Sequence, residues 1–227
     1  MITSGFGLNE NLSTGTNTEI IDLKNPTAIC EDLPDFPKEV FGPVGGLLGK
    51  TPIVCSGSSR VSSTKECFTF NGHSFTRTRS LSKMRAFAAS VVTESNKFWV
   101  FGGDRGSTEF ITEDGLSSSG PDMPDFGIDR HSATNINSTT SIIIGGAVYR
   151  NGKSIASPDT YYFHHPTKQW IQGPGLNVGR VRHTSGLVTD TVTNEKYVVV
   201  VGGFSWIDGH LASTEILMGG EWITGNV

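Results

Sequence analysis

The chain has 227 residues, 36% of them hydrophobic and 18% charged, with 28 glycines and a formal net charge of -4. That balance supplies no basic stripe for sequence-independent binding of nucleic acid, and no apolar run is long enough to cross a membrane as a helix. Glycine is costly inside helices and is consumed by turns, so the composition predicts a turn-rich all-β protein.

In chain order, the first predicted strands are MITSG, ending at Gly5, and NTEIIDL over residues 17–23, which alternates apolar and polar residues after a polar start. Next come a small-residue segment, FGPVGGLL (41–48), an apolar run, IVCSG, ending at Gly57, and KECFTF (65–70). The same order returns as RAFAASVV (85–92), KFWVFGG (97–103) and STEFIT (107–112). It returns again as RHSATNIN (130–137), TSIIIGG (140–146), DTYYFH (159–164) and KQWIQG (168–173). The last copy is RHTSGLVT (182–189), KYVVVVGG (196–203), STEILM (213–218) and GEWITG (220–225).

The glycines that end the apolar runs, Gly5, Gly57, Gly103, Gly146 and Gly203, are separated by 52, 46, 43 and 57 residues. Periods of this size belong to propeller blades or helical solenoids, and glycine-ended strands exclude the solenoids. Small residues in one strand of each unit suit the innermost position of a radial array, where larger side chains would collide. The expectation is an all-β β-propeller in one domain over 1–227, of about five four-stranded blades in units 1–31, 40–76, 84–119, 130–173 and 182–227. The first blade lacks its inner strand, so the chain is either a fragment of a larger propeller or an array with one three-stranded blade. An exposed edge would result.

The small-residue strand, the apolar run closed by Gly-Gly, the Glu-led strand and the Trp before the next Arg together resemble the kelch repeat. The likeness is strongest at KFWVFGG, TSIIIGG and KYVVVVGG and spans essentially the whole chain. It departs from the pattern at Ser56, where a first glycine belongs, and at Phe75, where a Trp belongs. The resemblance implies a non-enzymatic interaction module that binds a protein or peptide partner through loops at one mouth of the channel. Carried onto this chain, the partner-binding residues are Arg85, Arg130 and Arg182 at the entrances to the inner strands, and Arg60, Arg105, Tyr149, Arg150 and Trp206 in the loops after the glycines. Arginine grips carboxylates with two contacts, and Trp or Tyr adds contact area at low entropic cost. Each entrance arginine can equally be a staple that bonds carbonyls between blades, a role favoured for Arg130 and Arg182 because His131 and His183 follow them alike. Copper oxidases and sugar-acid epimerases share such scaffolds, but only 4 Tyr and 6 His are present to supply copper ligands.

Other motifs carry less. GGLLGKT (45–51) has Val44 where the first glycine of a phosphate loop belongs and Pro52 where its helix belongs, so it is expected to be a tight turn. His164 and His165 are neighbours on a strand and point to opposite faces, which disfavours a shared metal ion. Asp122, Asp125 and Asp129 lie among Pro and Gly in a predicted solvated loop. No cofactor or metal is expected. Cys55 and Cys67 fall on adjacent antiparallel strands, where either a disulfide or two buried thiols would fit. Asn11 and Asn137 open Asn-x-Ser/Thr sequons, glycan acceptors only in a secreted chain. The sequence carries no secretory signal, and the compartment is left open.

Overall fold

The computed structural model describes residues 2–6, 14–21, 24–25, 33–125 and 128–225. Among them there are strands and turns and no helix. Strands β1 (Ile2–Phe6) and β2 (Thr14–Glu19) form an antiparallel ribbon. The remainder of the first predicted unit, including Cys30, lies outside the described residues. Four four-stranded antiparallel sheets follow. The first contains β3 (Val44–Leu48), β4 (Thr51–Cys55), β5 (Cys67–Phe70) and β6 (Phe75–Thr78). The second contains β7 (Ala89–Val92), β8 (Lys97–Phe101), β9 (Thr108–Thr112) and β10 (Ser117–Ser119).

The third sheet begins with β11 (Ser132–Asn135) and β12 (Thr140–Ile144). A hairpin of β13 (Ala147–Arg150) and β14 (Lys153–Ala156) is then inserted before β15 (Thr160–His164) and β16 (Gln169–Gln172) complete the sheet. The fourth has the same plan, with β17 (Thr184–Thr189) and β18 (Lys196–Val201), the short pair β19 (Phe204–Ser205) and β20 (Gly209–His210), then β21 (Thr214–Met218) and β22 (Glu221–Gly225). Neither insertion is marked in the sequence by a sustained apolar alternation.

The apolar runs are explained by burial on both faces. Phe98 and Val100 of β8 pack against Ile53, Cys55 and Cys67 of the first sheet. Their neighbours Trp99 and Phe101 pack against Ile143 and Phe163 of the third. Ile142 and Ile144 then meet Val198 and Val200 of the fourth. On the far side of the fourth sheet, Val188, Val201, Met218 and Ile223 remain exposed, Ile223 by 52%. The small-residue strands β3, β7, β11 and β17 lie side by side. Their short polar groups bridge the gap: Ser90 Oγ donates to the Gly45 carbonyl at 3.0 Å, and Thr134 and Ser185 share a 2.7 Å hydrogen bond.

Each junction between sheets is made by the backbone. Gly57 N–H donates to the Arg85 carbonyl at 2.9 Å, Gly103 N–H to Ile128 at 3.0 Å and Gly146 N–H to Arg180 at 2.9 Å. A second series runs through Gly42, Phe87, Arg130 and Arg182, all left-handed with φ of 62°, 55°, 55° and 55°. Phe87 N–H donates to Gly42, Arg130 to Phe87 and Arg182 to Arg130, at 2.9, 2.8 and 2.9 Å. Gly146 shows why the second residue of the pair must be glycine: φ is +102°, and a Cβ there would lie 2.7 Å from His131 Cβ and 2.8 Å from the Asp129 carbonyl. Ser56 adopts φ 62° where the other sheets have the first glycine.

This register corrects the alignment expected from sequence. Arg85 is not the counterpart of Arg130 and Arg182; those two match Phe87, and Arg85 matches Arg180. Arg85 is 1% exposed, so its guanidinium is not available to a partner as the resemblance implied. It donates to Glu109 Oε1 at 2.8 and 3.0 Å, to Asp104 at 3.1 Å and to the carbonyls of Gly102 and Ser107 at 2.6 and 2.8 Å. Arg180, fully buried, does the same with Glu215 at 2.6 Å and the Gly202 carbonyl at 2.8 Å. Glu109 also accepts from Ser82 N–H and Glu215 from Asn177 N–H, each at 2.7 Å, which fixes the chain arriving from the preceding sheet. In the first and third sheets Val40 and Ile128 stand in place of the arginine. Phe68 and Tyr161 stand in place of the glutamate.

Two further points are corrected or settled. Cys55 and Cys67, paired across β4 and β5, form a disulfide with a Cα–Cα distance of 4.0 Å, which decides between the two arrangements the sequence left open. Within the 45–51 segment, Gly49 and Lys50 form the tight turn of the β3–β4 hairpin, as expected.

Ala88, His131 and His183 share one position of the repeat, wedged against the glycine turns. Burial holds His131 near a pKa of about 4 and His183 near about 3, with the Arg180 charge adding to the second. Both rings are therefore neutral when folded, whereas in the unfolded chain they take up protons below about pH 6.5. The unfolded state binds more protons in that window, so stability is full above it and falls as pH drops towards 4. The urea midpoint is expected to be lower at pH 5 than at pH 7.5, and the difference should shrink in the His131→Gln/His183→Gln variant. The buried ion pair has its own test. Arg85→Val leaves Glu109 buried and unpaired, at a cost of about 3–5 kcal/mol in urea unfolding. Adding Glu109→Phe, the combination that the first sheet uses, should recover most of it.

Candidate functional site

The left-handed series and the loops after the glycine turns share one end of the sheets. At its centre the Phe87 ring lies 4.6 Å from the Arg130 guanidinium and 5.9 Å from that of Arg182, with Phe41 at 5.5 Å from Phe87. The aromatic quadrupole attracts both cations. The backbone explains the grouping: each of the three residues is presented by the same turn of its own sheet and hydrogen-bonded to the next.

Arg130 is half-buried and pairs with Asp129 at 2.6 Å. Burial pushes the Asp129 carboxyl up, and the charges of Arg130 and Arg182 oppose that shift. Arg182 is exposed. The three residues thus present one exposed guanidinium, one partly neutralised guanidinium and an aromatic ring. Such a surface suits a carboxylate attached to an apolar group.

At the same end of the sheets, a groove of about 400 Å³ runs between the two inserted hairpins. It is lined by Ile155 and Ala156 of β14, by Asn177 and Val178, and by Trp206 and Ile207 of the β19–β20 turn. Trp206 is 48% and Ile207 94% exposed. Phe204 supports Trp206 edge-on at 6.2 Å. A second hollow of similar volume lies by Lys38, Ser62 and Arg77, but Glu66 already pairs with Lys38 and Arg77 at 2.7 and 2.9 Å.

The structure places the expected residues as follows. Arg130 and Arg182 come together at Phe87, and Trp206 lines the groove. Tyr149, 65% exposed, and Arg150 share the β13–β14 hairpin. Arg150 is half taken up within the chain: it bridges Asp125 at 2.9 Å and Asp159 at 2.8 Å, and those carboxylates raise its pKa. Tyr161 also donates to Asp125 at 2.9 Å; burial, then that contact, raises its pKa. Asp125 is therefore a structural anchor and not a freely solvated loop residue. Arg60 and Arg105 are exposed in separate loops of the first and second sheets. Arg85 lies inside.

His164 and His165 diverge as expected. His164 meets Thr167 at 2.8 Å, and His165 meets Ser141 at 2.7 Å beside Trp99, where burial lowers its pKa to about 4. No group of three or more His, Cys, Asp and Glu residues that could hold a metal occurs among the described residues. No helix there is long and apolar enough to cross a membrane. Sequence reasoning missed Phe87, Ile207 and Arg180. The recurrence of Leu81-x3-Arg85 as Leu176-x3-Arg180 would have identified the last.

No family model matches the chain, and no curated protein matches its sequence. In fold it is similar to the solved structure of YjhT, with a TM-score of 0.77 at 14% identity over 99% of this chain and 80% of that one. That likeness supports a β-propeller-like arrangement of repeated four-stranded antiparallel sheets.

Proposed function

We propose that the chain is a kelch-type β-propeller that binds a peptide or protein segment rich in carboxylates, across the face formed by its glycine turns, without catalysing a reaction. The observation that carries this reading is the convergence of Arg130 and Arg182 on Phe87, at the end of the sheets that also holds a groove with an exposed Trp206. Arginine and tryptophan dominate the energetics of protein interfaces because each combines large contact area with directional polar or aromatic contacts. The kelch reading draws support from the junctions, in which one left-handed residue and one glycine turn recur in successive sheets.

The test is an array of immobilised acidic, neutral and basic peptides, each with and without an aromatic residue. Acidic aromatic peptides should be retained best, and binding should weaken as salt rises. Asn tolerates left-handed backbone, so Arg130→Asn and Arg182→Asn remove the guanidinium and keep the turn. Each should weaken binding roughly tenfold, about 1.4 kcal/mol, and Trp206→Ala by a similar factor. Retention indifferent to the Arg130→Asn/Arg182→Asn pair would overturn the assignment of the site, and stoichiometric copper in the purified protein would favour the enzyme reading over the interaction one.

A further inference from the structure

We propose that Asn137 is an N-glycan acceptor, modified during export and carrying its glycan on the end of the sheets opposite the candidate binding face. Two independent observations point to it. The first is the disulfide: Cys55 and Cys67 are 0% exposed and joined across neighbouring strands of the first sheet. Structural disulfides of this kind form in oxidising compartments and are rare in the reducing cytosol, so the bridge fits a chain that folds on an export route, the setting that glycan transfer requires.

The second is the local form of the sequon. Asn137-Ser138-Thr139 makes up the turn between β11 and β12, and all three residues are exposed. Asn137 Oδ1 accepts hydrogen bonds from Thr139 N–H at 2.9 Å and from the Thr139 hydroxyl at 3.0 Å. Its Nδ2, the atom to be modified, makes no hydrogen bond among the described residues. The hydroxyl two positions on, which the sequon requires, is thus already held at the carboxamide. No packing has to be broken to attach a bulky hydrophilic group there.

Position adds a functional consequence. β12 leaves this turn and ends at Gly145 and Gly146, so a glycan on Asn137 is separated from the glycine-turn face by the full length of the strand. It would cover the opposite rim and leave Arg130, Arg182 and Trp206 open. The reaction needs a lipid-linked oligosaccharide diphosphate as donor. The bond between the first sugar carbon and the diphosphate oxygen breaks, a bond from Asn137 Nδ2 to that carbon forms, the amide nitrogen loses one proton, and the lipid diphosphate leaves.

The test is expression of the full 227-residue chain behind a cleavable signal peptide in a eukaryotic secretory system. Asn11→Gln is included so that Asn137 is the only remaining sequon. The protease-protected chain, secreted or not, is analysed by mass spectrometry with and without peptide-N-glycosidase. One glycosidase-sensitive increment at Asn137 is expected. It should vanish in Asn137→Gln and in Thr139→Ala and persist in Thr139→Ser, with the Cys55–Cys67 disulfide formed in all of them. Translocated chain with the disulfide in place and Asn137 unmodified would overturn the proposal. So would modification that survives Thr139→Ala, because the hydroxyl would then play no part.

Discussion

A backbone N–H that must reach from one sheet to a carbonyl of the next leaves no room for a side chain where the two chains cross. That steric condition governs the molecule. It requires the glycine whose N–H makes the junction after each second strand, and it brings Ala88, His131 and His183 into contact with the turn they face. It also places Phe87, Arg130 and Arg182 in left-handed backbone, at an intrinsic cost on the order of 1–2 kcal/mol each. The hydrogen bonds that these residues exchange and the apolar layers behind them offset the strain.

Behind each junction the chain uses one of two solutions to the same packing problem. Arg85–Glu109 and Arg180–Glu215 are buried ion pairs whose remaining donors and acceptors are satisfied by backbone, the condition under which buried charge is tolerated. Val40 with Phe68, and Ile128 with Tyr161, fill the same place with apolar contact. The alternation separates arginines with a structural task from those at the surface: two are sealed between strands, and two stand at the centre of the exposed face. Only the second pair can meet a ligand without disturbing the core.

Much of this was legible in the sequence because strand alternation, glycine-terminated apolar runs and small-residue strands are local signatures of a repeated sheet. Fourteen of the sixteen strands of the four sheets coincide with segments that the pattern marked, and the two that do not, β6 and β10, are short outer strands with little apolar alternation. What was not legible depended on register. Arg85 and Arg130 look alike as the first residue of a small-residue strand, yet a two-residue offset puts one in the interior and the other in the central series. The disulfide was undecidable for the same reason, since two cysteines on neighbouring strands bond only if they face each other. The inserted hairpins β13–β14 and β19–β20 are short and mix apolar with polar residues without a sustained alternation, so nothing in their composition separated them from loops. Phe87 escaped notice because an aromatic residue in an apolar context gives no sign that its ring supports two cations.

The order of the junctions has a consequence for how the protein is made. Among the described residues, these junctions each join a sheet to the sheet immediately before it in the chain: Gly57 to Arg85, Gly103 to Ile128, Gly146 to Arg180. None of the three has to wait for a distant segment. A ribosome releasing the chain from its N-terminus therefore delivers each sheet to a neighbour that is already complete, so that folding can advance in step with translation.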